Sequence, residues 1–203
     1  KIHVNVIGAT PLDFSIDGNV EAIEETLRED GFNIWANMAM NCDFNRLCDM
    51  AKANVNLVIS STGLKAAIYM KEQYGLPYVI GIPCGSISSD KICILLKRAV
   101  SDKCNYSLFD EKIIPKGTDE RRICIVGEAV HAASLRYRLK VEYGCNDVKV
   151  LCPLEEDAGV LEDGDFRYMY EEDIKRTLNQ FEVVIADPIY KRVLKEDILF
   201  IDD

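Results

Sequence analysis

Apolar positions along this chain fall into two alternating rhythms. Residues 2–7 form a run rich in β-branched side chains, the pattern of a strand covered on both faces. Runs of the same kind recur at 32–36, 55–59, 78–82, 123–126, 148–151, 183–186 and 198–201. Between them the spacing changes to that of helices with one apolar face. Val20, Ile23 and Leu27 recur among Glu21, Glu24, Glu25 and Arg28, and Asp30-Gly31 closes that segment with a glycine suited to a left-handed cap. Asp43 is placed to cap a helix with Phe44, Leu47, Met50 and Ala51 on one face. Ser61 or Thr62 is placed to cap one running through Leu64, Ala67, Ile68 and Tyr74. Further helices are predicted over 92–100, 130–143 and 170–178.

Strands alternating with amphipathic helices predict an α/β fold, with parallel sheets covered on both faces. The pattern breaks over 105–120, where Pro115-Lys116-Gly117 reads as a hinge, and then restarts. The expected architecture is two tandem Rossmann-like three-layer units, residues 1–110 and 111–203, the second truncated at its C-terminus. Val6-Ile7-Gly8-Ala9 and Ile125-Val126-Gly127-Glu128 hold equivalent places in the two, each a strand running into a glycine loop. An opening strand so close to the first residue, with no initiator Met, reads as a piece of a longer polypeptide. In tandem units of this kind a ligand is expected between them, at the carboxyl ends of the strands.

Composition narrows the class. The 203 residues are 48% apolar and 29% charged, a globular and not a disordered balance. No apolar run approaches the ~20 residues that span a bilayer, and no secretory leader pattern is present. With a net charge of −10 the chain lacks the cationic surplus that a phosphate backbone demands, which argues against nucleic acid. Acid concentrates in Glu155-Glu156-Asp157 and Glu162-Asp163-Gly164-Asp165, read first as a solvated loop and second as a cation site; EF-hand spacing is absent. Eight cysteines accompany two histidines without zinc-ribbon spacing. Cys93, Cys124 and Cys145 sit among apolar residues, where a thiol behaves as a small hydrophobe. Free thiols in a reducing cytoplasm are expected.

In such sheets chemistry belongs to the loops leaving the strands' carboxyl ends. Here these are Gly8-Ala9-Thr10, Asn41-Cys42-Asp43, Ser60-Ser61-Thr62-Gly63, Cys84-Gly85-Ser86, Gly127-Glu128 and Asp187-Pro188. Small residues let a ligand approach backbone N–H groups, and the helix N-termini that follow favour an anion. Gly8, Ala9, Thr10, Ser60, Ser61, Gly127 and Glu128 are the candidate ligand contacts, and Cys42 and Cys84 the candidate metal ligands. Each has a plainer reading: tight turns for Gly8 and Gly127, a helix cap for Ser60 to Thr62, structural thiols for the two cysteines. His131 reads as a surface or packing histidine. No catalytic residue stands out, and neither Gly-x-Gly-x-x-Gly nor a P-loop occurs.

Four stretches then carry a resemblance: Val4-Asn5-Val6-Ile7-Gly8, Asp30-Gly31-Phe32, Ala51-Lys52-Ala53-Asn54-Val55-Asn56-Leu57-Val58 and Tyr74-Gly75-Leu76-Pro77-Tyr78. In this order and spacing they resemble the nitrogenase component 1 family, which takes in MoFe-type subunits, cofactor-assembly scaffolds and reductases of tetrapyrrole biosynthesis. The likeness covers residues 2–86 and continues more weakly through 123–127 and 181–187. It implies Rossmann-like domains around a buried metal cluster or tetrapyrrole, a second component 1 type subunit, and electrons from an ATP-dependent iron–sulfur reductase. A cluster-bearing domain would precede Lys1 and a further portion would follow Asp203. The departures also matter. Catalytic nitrogenase subunits place a cofactor cysteine after the strand equivalent to 55–59, where this chain has Ser60, and a hydroxyl is a poorer cluster ligand than a thiolate. Their cofactor histidine would fall at or beyond Asp203. Their Gly-Gly-Leu-Arg-Pro-Arg loop reads Gly127-Glu128-Ala129-Val130-His131-Ala132 here, without the arginines.

The resemblance thus implies the middle of a nitrogenase-like oxidoreductase subunit, not of the iron–molybdenum type, with Cys84 or Cys42 contributing to a different site. Such a fragment would be inactive alone and would keep no iron–sulfur or related cluster. One alternative is a non-catalytic scaffold for metallocluster assembly, motivated by Ser60. Another, unrelated, is a Rossmann-type ligand-binding or sugar-transfer module whose edge loops hold a phosphate.

Overall fold

A computed structural model of the chain describes residues 1–203 except 15–17, 39, 41, 112, 115–116, 155–157 and 168–169, and gives only the backbone of residues 12–13. Pro115 and Lys116 of the expected hinge, and the acidic stretch Glu155-Glu156-Asp157, lie outside the described residues. The chain divides into two compact units, Lys1–Glu111 and Lys112–Asp203.

In the first unit five strands, β1 (His3–Ile7), β2 (Asn33–Asn37), β3 (Val55–Val58), β4 (Tyr78–Ile80) and β5 (Tyr106–Ser107), form one sheet in the order β2-β1-β3-β4-β5. Every pairing is parallel. The helices are α1 (Pro11–Phe14), α2 (Asn19–Glu29), α3 (Phe44–Cys48), α4 (Leu64–Tyr74) and α5 (Ser86–Asp102). Successive side chains of a strand point to opposite faces. Accordingly Ile7 joins Met50, Met70 and Leu76 in one core cluster, while Val4 and Val6 are buried on the other face. Asn5 shares the Ile7 face. It is paired in register with Asn56 of β3, donates to the Asn56 side chain at 2.8 Å, and donates to the Met50 carbonyl at 3.0 Å.

The second unit repeats the plan with β6 (Asp119–Val126), β7 (Cys145–Cys152), β8 (Phe166–Arg167), β9 (Val183–Ala186) and β10 (Leu199–Asp202), all parallel, in the order β10-β9-β6-β7-β8. Its helices are α6 (Ala129–Glu142) and α7 (Glu171–Leu178). Strand alternation again divides the core. Ile123 and Ile125 pack with Ala132 of α6, whereas Cys124 and Val126 pack with Ile174 and Leu178 of α7. The two helices therefore cover opposite faces of this sheet.

Four local expectations change. The helix after Asp43 ends at Cys48 and is followed by a separate 3₁₀ turn, Met50–Lys52. Asp43 does cap it, accepting from the Arg46 N–H at 2.9 Å, but Phe44 is 77% exposed and only Met50 of the supposed apolar face is deeply buried. The helix predicted over 92–100 begins at Ser86, because Ser86 to Lys91 carry no apolar periodicity for a sequence reading to catch. The aperiodic stretch 105–120 contains β5, and the acidic loop runs into β8. Two-residue strands are too short to show an alternation.

Candidate functional site

In an open parallel sheet the binding crevice opens where the strand order reverses. In the first unit that point lies between β1 and β3, since β2 is added on one side of β1 and β3 on the other. The loops leaving those two strands are Gly8-Ala9-Thr10 and Ser60-Ser61, so the topology brings these five candidates to one place.

The two loops fit without slack. Gly8 has φ +100, a backbone that side-chain-bearing residues avoid, and a Cβ added to it would lie 2.9 Å from the Ser60 backbone nitrogen. Gly63 presses from the other side: its added Cβ would lie 2.8 Å from both the Gly8 nitrogen and the Ile7 carbonyl carbon. Backbone bonds complete the lock, from the Ile59 N–H to the Ile7 carbonyl at 3.0 Å and from the Gly63 N–H to the Ser60 carbonyl at 3.0 Å.

Ser60 is 1% exposed and caps the 3₁₀ turn Ser61–Gly63. Its hydroxyl accepts from the Thr62 N–H at 3.3 Å and shares a 3.0 Å bond with the Thr62 hydroxyl. The cap at this loop is therefore Ser60, and its oxygen is turned into its own loop. Ala9 is wholly buried as well. Thr10 and Ser61 are the half-buried candidates of these two loops.

The thiols stand further out. Cys84 follows β4, one strand beyond Ser60, and is half-buried; buried Ser88 donates its hydroxyl to the Cys84 carbonyl and holds that loop against the start of α5. Cys42 follows β2 and packs against the cluster around Met50. Between β2 and β4 lie β1 and β3, so the strands that precede the two loops stand three inter-strand steps apart, ~14 Å. Among the described residues, no group of three or more His, Cys, Asp or Glu side chains is placed to hold a metal.

In the second unit the reversal lies between β6 and β9. Gly127-Glu128 leaves β6, and Glu128 caps α6: one carboxylate oxygen accepts from the N–H groups of Val130 and His131, both at 3.0 Å. The protein's own carboxylate thus sits where an anionic ligand would use the helix N-terminus. Asp187, leaving β9, caps the following 3₁₀ turn Pro188–Val193 by accepting from the Ile189 N–H at 2.8 Å. The half-buried His131 brings Nδ1 to 4.0 Å from an Asp203 carboxylate oxygen. This end of the unit is lined by carboxylates, the reverse of an arginine-bearing loop.

One polar cluster was missed by the sequence reading. Asp165, in a stretch that reads as a solvated acidic loop, has a 2% exposed side chain and meets the equally buried Arg136 at 2.5 Å. It also accepts from the backbone N–H groups of Val150 at 2.9 Å and Glu162 at 2.7 Å, while Arg136 donates to the Val160 carbonyl at 3.1 Å. Lys140 meets Glu162 at 3.2 Å. A signal was present. Ala129, Ala132, Ala133, Arg136 and Lys140 share one stripe of a helix, so the two cations lie on its buried side and require counter-charges.

All eight cysteines are free. Burial, with Asp30 alongside, raises the Cys93 thiol to about 12. Burial also pushes the thiols of Cys124 and Cys145 up, the latter with help from Asp119. Cys93, Cys124 and Cys145 are core thiols. No helix among the described residues is long and apolar enough to cross a membrane.

A model of the family described as nitrogenase component 1 type oxidoreductase matches residues 1–182. The B-type subunit of light-independent protochlorophyllide reductase from Chlorokybus atmophyticus is 26% identical over 166 residues, 72% of this chain and 32% of that protein. The same subunit from Nostoc punctiforme is 24% identical over 177 residues, 78% of this chain and 35% of that protein. This chain therefore spans about a third of the length of the curated relatives it matches. A solved structure of nitrogenase Cp1 at pH 6.5 superposes with a TM-score of 0.65 at 11% identity, over 100% of this chain and 52% of the other. At that identity the likeness establishes the fold.

Proposed function

The chain belongs to the nitrogenase component 1 type oxidoreductase family, and on that premise we propose that it forms one wall of the cofactor or substrate pocket of a nitrogenase-like oxidoreductase subunit. The subunit would be longer than these residues, work alongside a second component 1 type subunit, and receive electrons from an ATP-dependent iron–sulfur reductase. A cytoplasmic location goes with this reading. The observation that supports it is the locked pair of loops at the β1/β3 reversal, in which Thr10 and Ser61 are half-buried.

The described residues do not fit a complete metallocluster site. The Ser60 hydroxyl is bound inside its own turn, Cys42 and Cys84 lie apart, and no third donor joins either among the described residues. Any cluster in the subunit takes most of its ligands from elsewhere. Cys84, in the loop after β4, is the thiol to test: Cys84→Ala should lower the iron content of the full-length protein, and unchanged iron would remove Cys84 from the site. The relatives act, by name, on protochlorophyllide, and a crevice of small residues with no metal-binding side chain of its own suits the wall of a tetrapyrrole pocket.

Thr10→Trp and Ser61→Trp test the wall directly. In the full-length protein, purified without oxygen, each should cut reductase-dependent turnover at least tenfold while the far-ultraviolet circular dichroism stays unchanged. Full turnover in both variants would place the pocket elsewhere. Transfer of a bound cluster to an acceptor without substrate turnover would instead mark an assembly scaffold, the reading that the hydroxyl at Ser60 favours.

A further inference from the structure

A second polar feature of the second unit lies away from the strand carboxyl ends. It is a groove of 710 Å³ between the C-terminal end of α7 and the segment that leads into β10. Lys175, Arg176, Arg192 and Lys195 line it, all exposed, with Glu172 as the one acid of the lining. Arg176 is paired with Asp173 at 2.6 Å. Lys175, Arg192 and Lys195 have no ion-pair partner among the described residues. Val193 and Leu194 give the groove an apolar part and pack in turn on the cluster of Ile174, Leu178 and Phe181.

The groove is also rigidly made. Asn179 donates to the Lys175 carbonyl at 2.7 Å and to the Val193 carbonyl at 2.9 Å, and accepts from the Lys195 N–H at 2.9 Å. One amide thus ties the backbone of both walls together.

We propose that this groove docks an acidic segment of a partner protein that also carries one or two apolar side chains. In a chain where acids outnumber bases 34 to 24, three cations without an ion-pair partner among the described residues line one groove. A charged rim around an apolar centre is the anatomy of a protein interface, and the cations would steer an acidic partner into register. A nucleic acid would meet the same cations but also the field of a chain at −10. A small inorganic anion would leave Val193 and Leu194 unused. The inference rests on this groove alone and holds whatever reaction the subunit performs.

Fluorescence anisotropy of the full-length protein with a labelled ten-residue peptide of glutamates and two leucines tests it. Binding should weaken at least tenfold in Arg192→Glu/Lys195→Glu, severalfold in Asn179→Ala, where the cations stay but their clip is lost, and severalfold when serine replaces both leucines of the peptide. Circular dichroism confirms that the exposed charge reversals leave the fold intact. Equal binding by the charge-reversed protein would overturn the proposal. So would displacement of the peptide by millimolar phosphate, or by a single-stranded oligonucleotide at the peptide's own concentration.

Discussion

At the scale of single residues, the crevice of the first unit depends on two positions that admit no side chain. Gly8 combines a positive φ with a neighbour 2.9 Å from its missing Cβ. Gly8→Ala is therefore expected to cost about 2–4 kcal/mol, backbone strain and overpacking together. Gly63→Ala, with an ordinary backbone but contacts at 2.8 Å, should cost about 1–3 kcal/mol. Gly75→Ala is the control: its φ is +67 but nothing lies within 4 Å, so only the backbone cost of about 1 kcal/mol remains. Urea unfolding of the three variants checks the order, and a Gly8 variant as stable as the Gly75 variant would show that the loops are not locked. Cys93 gives a second residue-scale test. Its folded value of about 12 lies above the ordinary 9.0, so its contribution to stability is complete below pH 9 and is lost as pH rises from 9 toward 12. At neutral pH maleimide should label exposed Cys48 and Cys104 quickly and Cys93 only on unfolding. Mass spectrometry reads the difference, and equal rates would contradict the burial.

At the scale of elements, the long buried strands were legible because both of their faces are covered, so apolar runs survive without alternation. Val55, Leu57 and Val58 in β3, or Val183 to Ala186 in β9, show this directly. The edge strands β5 and β8 were not legible, since two residues carry no period. The charge pattern misled more than the apolar one. Glu162-Asp163-Gly164-Asp165 reads as a solvated loop, yet Arg136 and Lys140 of α6 fasten this acidic strap ahead of β8. Arg136→Met should leave the Asp165 carboxylate buried without its cation, at a cost of about 3–5 kcal/mol. Adding Asp165→Asn should recover part of that loss. Thermal unfolding of the single and double variants decides, and a harmless single variant would mean that the pair is not a fastener. The start of β6 behaves differently under acid. The side chain and backbone N–H of Arg121 hold Asp119 down to about 2, so its share of stability is present above about pH 4 and is lost as pH falls toward 2.

At the scale of the whole molecule, order and spacing of short stretches were enough to reach the family, because they mark the ends of strands and helices that the fold fixes. The reacting group was not legible. Ser60 is tied up as a cap, the second unit fills its helix N-terminus with Glu128, and Cys42 and Cys84 stand three strands apart; none of this shows in residue types alone. In the proposed reading these 203 residues supply one wall of a pocket, and the chain spans about a third of the length of the curated relatives it matches. Stopped-flow absorbance of the reduced ATP-dependent iron–sulfur reductase, mixed with the full-length protein with and without MgATP, tests that claim most directly. Oxidation of the reductase that requires both MgATP and the full-length protein, and that the 203-residue chain by itself does not support, is the result expected of a nitrogenase-like subunit. No oxidation with every component present, or oxidation at the same rate without MgATP, would contradict it.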